Sequence, residues 1–125
     1  MSLVFKILPA VDWRAAEEAK VYRGSADDKR DGFIHLSTSD QLAGTLARHF
    51  SQQKNLVLVA IEADDLGDKL KWEESREGDS FPHLYHALDL SLVRWVSTIG
   101  DKADGVFALP ARAFVNLDKN QNGLS

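Results

Sequence analysis

The chain has 125 residues, with 15 Lys plus Arg against 19 Asp plus Glu and a formal net charge of −4. That length makes one domain, the mild acidity makes a poor non-specific binder of nucleic acid, and the absence of cysteine excludes disulfides, thiolate nucleophiles and cysteine-ligated metals. No apolar run approaches the ~18 residues of a membrane span, and the start lacks the basic-then-apolar order of a signal peptide, so a cytoplasmic protein with no membrane contact is expected.

Residues 4–8 predict a short strand, stopped by Pro9, which cannot donate to a ladder. Residues 10–20 are rich in Ala and Glu and predict a helix. Residues 23–32 read as a polar loop containing Gly24 and Gly32. Residues 32–37 predict a second strand, with Phe33, His35 and Ser37 on one face and Ile34 and Leu36 on the other. A helix over 39–50 follows. Thr38 and Gln41 have capping-box spacing, and Leu42, Leu46, His49 and Phe50 share a face, which makes His49 a core residue.

Residues 56–61 are apolar on both faces and predict a central strand. Asp64 to Asp68 is a turn. Residues 69–73 alternate, with Leu70 and Trp72 inward. A charged loop over 74–80 precedes two strands, 83–88 and 92–96, and residues 105–110 predict a last edge strand. The domain is expected to span 3–115, with 116–125 as a flexible tail. Early helices and crowded later strands argue for an α+β single domain.

Three groups of residues suit chemistry. Phe33-Ile34-His35-Leu36-Ser37-Thr38 combines an imidazole, two hydroxyls and a helix start, where free N–H groups and a positive dipole end suit a phosphate or carboxylate. The plainer alternative is a hydrogen-bonded histidine beside capping hydroxyls. In Phe81-Pro82-His83-Leu84-Tyr85-His86, His83 and Tyr85 share a face. The histidine suits proton transfer and the tyrosine ring suits stacking on a planar ligand. The alternative is an edge histidine and a half-buried tyrosine. Glu73 leaves its strand opposite Trp72, as a ribose-diol acceptor, a base or merely solvated loop charge. His83 and His86 fall on opposite strand faces, so no metal is expected.

The segments Asp31-Gly32-Phe33-Ile34-His35-Leu36-Ser37-Thr38-Ser39-Asp40-Gln41, Ala47-Arg48-His49-Phe50, Leu56-Val57-Leu58-Val59, Leu70-Lys71-Trp72-Glu73 and Phe81-Pro82-His83-Leu84-Tyr85 together resemble the small bacterial family called domain of unknown function 952. The resemblance implies an ADP-ribosylation-like fold with a mixed, twisted sheet and two main helices. A more distant likeness is to the tRNA 2′-phosphotransferases, which act on a 2′-phosphate with NAD. Their His-Leu-Ser segment matches His35-Leu36-Ser37, and their acidic strand end falls at Glu62. Lys6 stands where their NAD-binding histidine is expected, and no Gly-Thr follows it.

These readings make His35, His83 and Glu73 the candidate catalytic residues and Lys6, Ser37, Thr38 and Tyr85 the candidate ligand-binding residues. The expected ligand is nucleotide-like and phosphate-bearing, NAD or an ADP-ribose derivative, seated near the helix start after Thr38. The alternatives are a non-catalytic small-molecule or peptide binding module and an oligomeric structural or regulatory partner.

Overall fold

The computed structural model describes residues 2–75, 78–103 and 105–114. The chain runs β1 (Leu3–Pro9), α1 (Ala10–Ala19), β2 (Val21–Tyr22), α2 (Ala26–Asp31), β3 (Ile34–His35), α3 (Leu42–His49), β4 (Leu56–Glu62), β5 (Leu70–Glu74), β6 (Ser80–Leu84), β7 (Leu88–Asp89), β8 (Val93–Ala103) and β9 (Val106–Ala108), with short 3-10 turns between some of them. The expected flexible tail, 116–125, lies outside the described residues.

Apolar side chains on both faces place β4 in the middle of a four-stranded sheet of order β1-β4-β8-β9. β1 pairs with β4 along its whole length, from Leu3 opposite Glu62 to Pro9 opposite Leu56. One face carries Val4, Leu8, Val57, Val59 and Ile61 and packs against Trp13 and Ala16 of α1. The other carries Phe5, Ile7, Leu56, Leu58 and Ala60 and packs against Leu42 and Leu46 of α3. A second sheet has the order β3-β6-β5, and β2 pairs with β7 alone.

The two larger sheets meet at one point. Phe5 and Ser37 exchange both backbone hydrogen bonds, at 2.8 and 2.9 Å. Through that bridge the strands form a curled antiparallel layer, with helices against it. Every pairing among the described residues is antiparallel, so the expected mixed sheet is corrected. The expected single domain of mixed helices and strands stands.

Four local expectations change. The loop over 23–32 contains α2, which Ser25 caps: its Oγ accepts the Asp28 N–H while Asp28 accepts the Ser25 N–H. Trp72 is 49% exposed rather than inward. It shares a face with Leu70, as alternation requires, but β5 is the edge strand and reaches past the core. His49 is exposed, because the stripe that packs on the sheet runs Leu42, Leu46 and Phe50, four residues apart, and His49 lies to its side. The strand expected over 83–88 stops at Leu84 and gives way to the separate β7.

This layering predicts a contrast. Leu58→Ala removes a fully buried side chain from the central strand and should cost about 2–5 kcal/mol. Trp72→Ala, at the rim, should cost about 1 kcal/mol or less. Urea denaturation of the two variants checks both values.

Candidate functional site

The site begins with a cap. The Ser25 capping box sets Asp28 on the inward side of α2, where it is 2% exposed. Gly24 precedes it at φ 108, and a Cβ there would stand 2.8 Å from the Asp28 Cβ, so only glycine fits. Asp28 faces Lys6, which lies on β1 among apolar neighbours and is 6% exposed. The Lys6 ammonium is 2.9 Å from Asp28 Oδ2 and 3.2 Å from Oδ1, and it donates to the His35 carbonyl at 3.1 Å. Burial pulls the Lys6 pKa down, against the attraction of Asp28. Burial also pushes the Asp28 carboxyl up, but the His35 hydrogen bond, the Lys6 charge and the Ser25 amide outweigh it and hold the group below the usual carboxylate range.

Asp28 also places His35. Its Oδ1 accepts the His35 backbone N–H at 3.1 Å and bonds the ring Nδ1. The other ring nitrogen, Nε2, is 2.9 Å from Asp31 Oδ2. A neutral imidazole has one N–H and satisfies one carboxylate; an imidazolium satisfies both. Asp31 is further bonded by Arg30, chiefly through Nε at 3.1 Å, which holds its carboxyl below the ordinary value.

His83 is the direct cross-strand partner of His35. Residues opposed in this way put their side chains on one face, in contact range. The ring centroids are 5.7 Å apart. Phe33 stacks on His83 at 4.0 Å and lies 4.6 Å from His35, with Tyr85 at 5.2 Å beyond it. His83 Nδ1 is bonded to Glu73 Oε1 at 2.7 Å, and the Tyr85 hydroxyl donates to the same oxygen at 2.8 Å. Those bonds, His83 first, lower the Glu73 pKa, and Glu73 in turn raises that of Tyr85.

A cavity of about 260 Å³ opens where β1 and β3 part beyond the Phe5–Ser37 bridge. His35, His83, Lys6 and Ser37 line it, and Ser37 Oγ shares a 2.9 Å hydrogen bond with Thr45 of α3. Glu73 and Tyr85 stand behind His83 and are not in the lining. Thr38 is also outside it. The Thr38 N–H donates to Gln41 Oε1 at 3.0 Å. The cavity instead meets the second half of α3, at Thr45, Arg48, His49 and Phe50. Glu62, the expected acidic strand end, is buried and accepts the Ser2 N–H at 2.9 Å, away from the cavity. Among the described residues no three His, Asp or Glu side chains are arranged to hold a metal ion.

Sequence reasoning missed Asp28, Arg30, Asp31 and Thr45. The signal for Asp28 was present: Ser25 with an acid three residues later is a capping box. Asp31 and His35 are four residues apart, but no helix joins them to make that spacing legible.

The family model described as "Protein of unknown function (DUF952)" matches residues 7–96. The chain belongs to this family. The crystal structure of protein CC0527 from Caulobacter crescentus is 46% identical, covers 90% of this chain and 98% of its own, and superposes with a TM-score of 0.84. The solution NMR structure of CC0527 is 49% identical over 85% of this chain and 91% of its own, with a TM-score of 0.76. The search of curated proteins found no match. These matches establish the family and its curled α/β fold; they do not reach the ADP-ribosylation fold or the tRNA 2′-phosphotransferases. The family match takes in both histidines, their carboxylates and Asp31, and begins one residue after Lys6.

Removing Asp28 tests the hub. Asp28→Asn strands the buried Lys6 and should cost about 3–5 kcal/mol at pH 7. The folded pKa of Asp28 lies below its unfolded value of about 3.9, so its contribution is full above that pH and drains away as pH falls through the folded value. Urea midpoints measured from pH 7 down to pH 3 should therefore fall less steeply in Asp28→Asn than in the wild type.

Proposed function

We propose that this chain binds a small phosphate-bearing, nucleotide-like ligand in the cavity, and that His35 and His83 act there as a proton-transfer pair. One observation carries the reading. Two imidazoles, 5.7 Å apart, line one cavity, and each is anchored through Nδ1 on a carboxylate. Such an anchor fixes the ring and its tautomer and turns Nε2 toward a ligand. Two rings held this way supply an acid and a base to one bound group.

The remaining wall supports the ligand class. Arg30 and Arg48 bring cationic side chains, His49 an imidazole, and Ser37 and Thr45 hydroxyls. Phe50 and Phe81 bring aromatic surfaces for a planar ring to the same wall. A cavity of about 260 Å³ is at the small end of the ~300–1,000 Å³ usual for ligand sites. A ribose phosphate or mononucleotide suits it better than a whole NAD. In this reading Lys6 acts through Asp28, Glu73 acts through His83, and Thr38 only starts a helix. The lack of cysteine agrees with a cytoplasmic setting.

A non-catalytic binding module is the second reading. It is favoured by the contact between His35 Nε2 and Asp31, which already occupies the working atom. The two readings separate on whether a bound phosphate ester is altered over hours, followed by phosphorus NMR.

Calorimetric titration with adenosine monophosphate, ribose 5-phosphate and adenosine tests the site itself. Wild type should bind the two phosphates and bind adenosine more weakly. His35→Ala and His83→Ala should each lose about tenfold or more in affinity, the size of a hydrogen bond to a charged group. Equal binding by all three proteins, or adenosine bound as tightly as its phosphate, would overturn the proposal.

A further inference from the structure

Asp31 is held in the way a bound anion is held. Its Oδ2 lies 2.9 Å from His35 Nε2 and 3.4 Å from Arg30 Nη2, and its Oδ1 lies 3.1 Å from Arg30 Nε. An imidazole and a guanidinium fork converging on one carboxylate is the donor set that recognises a phosphate. We infer that His35 Nε2 and Arg30 form the anion subsite of this cavity, and that Asp31 fills it until a ligand phosphate takes its place. The inference rests on the ligand reading above and names where the phosphate sits and what competes with it.

The two donor groups are anchored independently of Asp31. Asp28 holds the His35 ring through Nδ1 and its backbone through the N–H. Asp27 holds Arg30 through Nη1 at 3.1 Å. Were Asp31 to leave, both donors would still have these anchors. The helix would lose nothing by its departure. Asp31 is the last residue of α2, the end that favours a cation rather than a carboxylate. The C-cap bond runs from Gly32 N–H to the Asp28 carbonyl, without the Asp31 side chain. Asp31 lines the cavity and its side chain is 34% exposed, so it can rotate into water. A phosphate dianion brings more charge and more acceptor oxygens to the same two donors than one carboxylate does.

The experiment separates this exchange from a simple change of charge. Inorganic phosphate and adenosine monophosphate are titrated into wild type, Asp31→Asn, Asp31→Ser and Asp27→Asn at fixed pH and ionic strength, by calorimetry. Asp27 also lines the cavity and pairs with Arg30, and an Asn there still accepts the Nη1–H while the negative charge is removed. Both Asp31 variants should bind phosphate about tenfold or more tightly than wild type, because the internal competitor is gone. Asp27→Asn should gain less than about threefold, the share due to net charge alone. Unchanged or weaker binding in both Asp31 variants overturns the inference while leaving the ligand reading in place, provided wild type binds the nucleotide. An equal gain in Asp27→Asn overturns it in the same way. No binding of either compound by any of the four proteins removes the ligand reading and this inference with it.

Discussion

The buried ion pair between Lys6 and Asp28 ties three parts of the chain together. Lys6 lies between Val4 and Leu8 on the face of β1 that carries the core. An ammonium in that place needs a counter-charge. Asp28 provides it from α2, and the same carboxylate takes the backbone and the ring of His35 at the end of β3. Replacing such a pair with apolar residues is often neutral for stability. Its consequence here is positional. It fixes how α2 and β3 sit against the first strand, and the cavity is the gap left between them.

The histidine pair depends on register rather than on either histidine. β3 is two residues long, and Ile34 opposite Leu84 is buried on the inner face. That apolar pair specifies which residues of β6 face β3. A slip of one residue would turn His83 inward and Leu84 outward. The core contact therefore sets His35 opposite His83. The same alternation puts Glu73, Phe81 and Tyr85 on the histidine face and buries Pro82 on the other. A short strand with few ladder bonds thus carries a defined chemical face, because its other face is locked in the core.

Much of the scaffold was legible in the residues. The doubly apolar run at 56–61 could only be a covered strand, and β4 is one. Pro9 marked the end of β1, and the Ala-rich segment after it is α1. Strand alternation put His35 with Ser37 and His83 with Tyr85. Period-two reasoning failed where it was asked for burial as well as facing: Trp72 shares a face with Leu70, yet lies at the rim of a three-stranded sheet. Six-residue α2 carries no apolar periodicity, so its only signal was the cap at Ser25. The site was legible as a set of polar faces and not as a network. Asp28 joins Lys6 to His35 across separations of 22 and 7 residues, and such pairings depend on the sheets curling together.

The network also constrains what a ligand can do. The charges of Lys6, Asp27, Asp28, Arg30, Asp31 and Glu73 all have partners within the chain, and the His35 and His83 imidazoles touch carboxylates. At these positions a ligand anion would meet a carboxylate already bound and would have to exchange with it. Exchange adds little net electrostatic gain for a group that merely matches a carboxylate. It favours a group that exceeds one in charge and in acceptor oxygens, as a phosphate does. The same exchange limits non-specific attraction, since the chain as a whole carries a net charge of −4 and its cationic groups at the cavity are shielded by acids. Discrimination at such a site comes from displacing a resident side chain, and that makes the identity of the resident, Asp31, as consequential as the identity of the two donors it occupies.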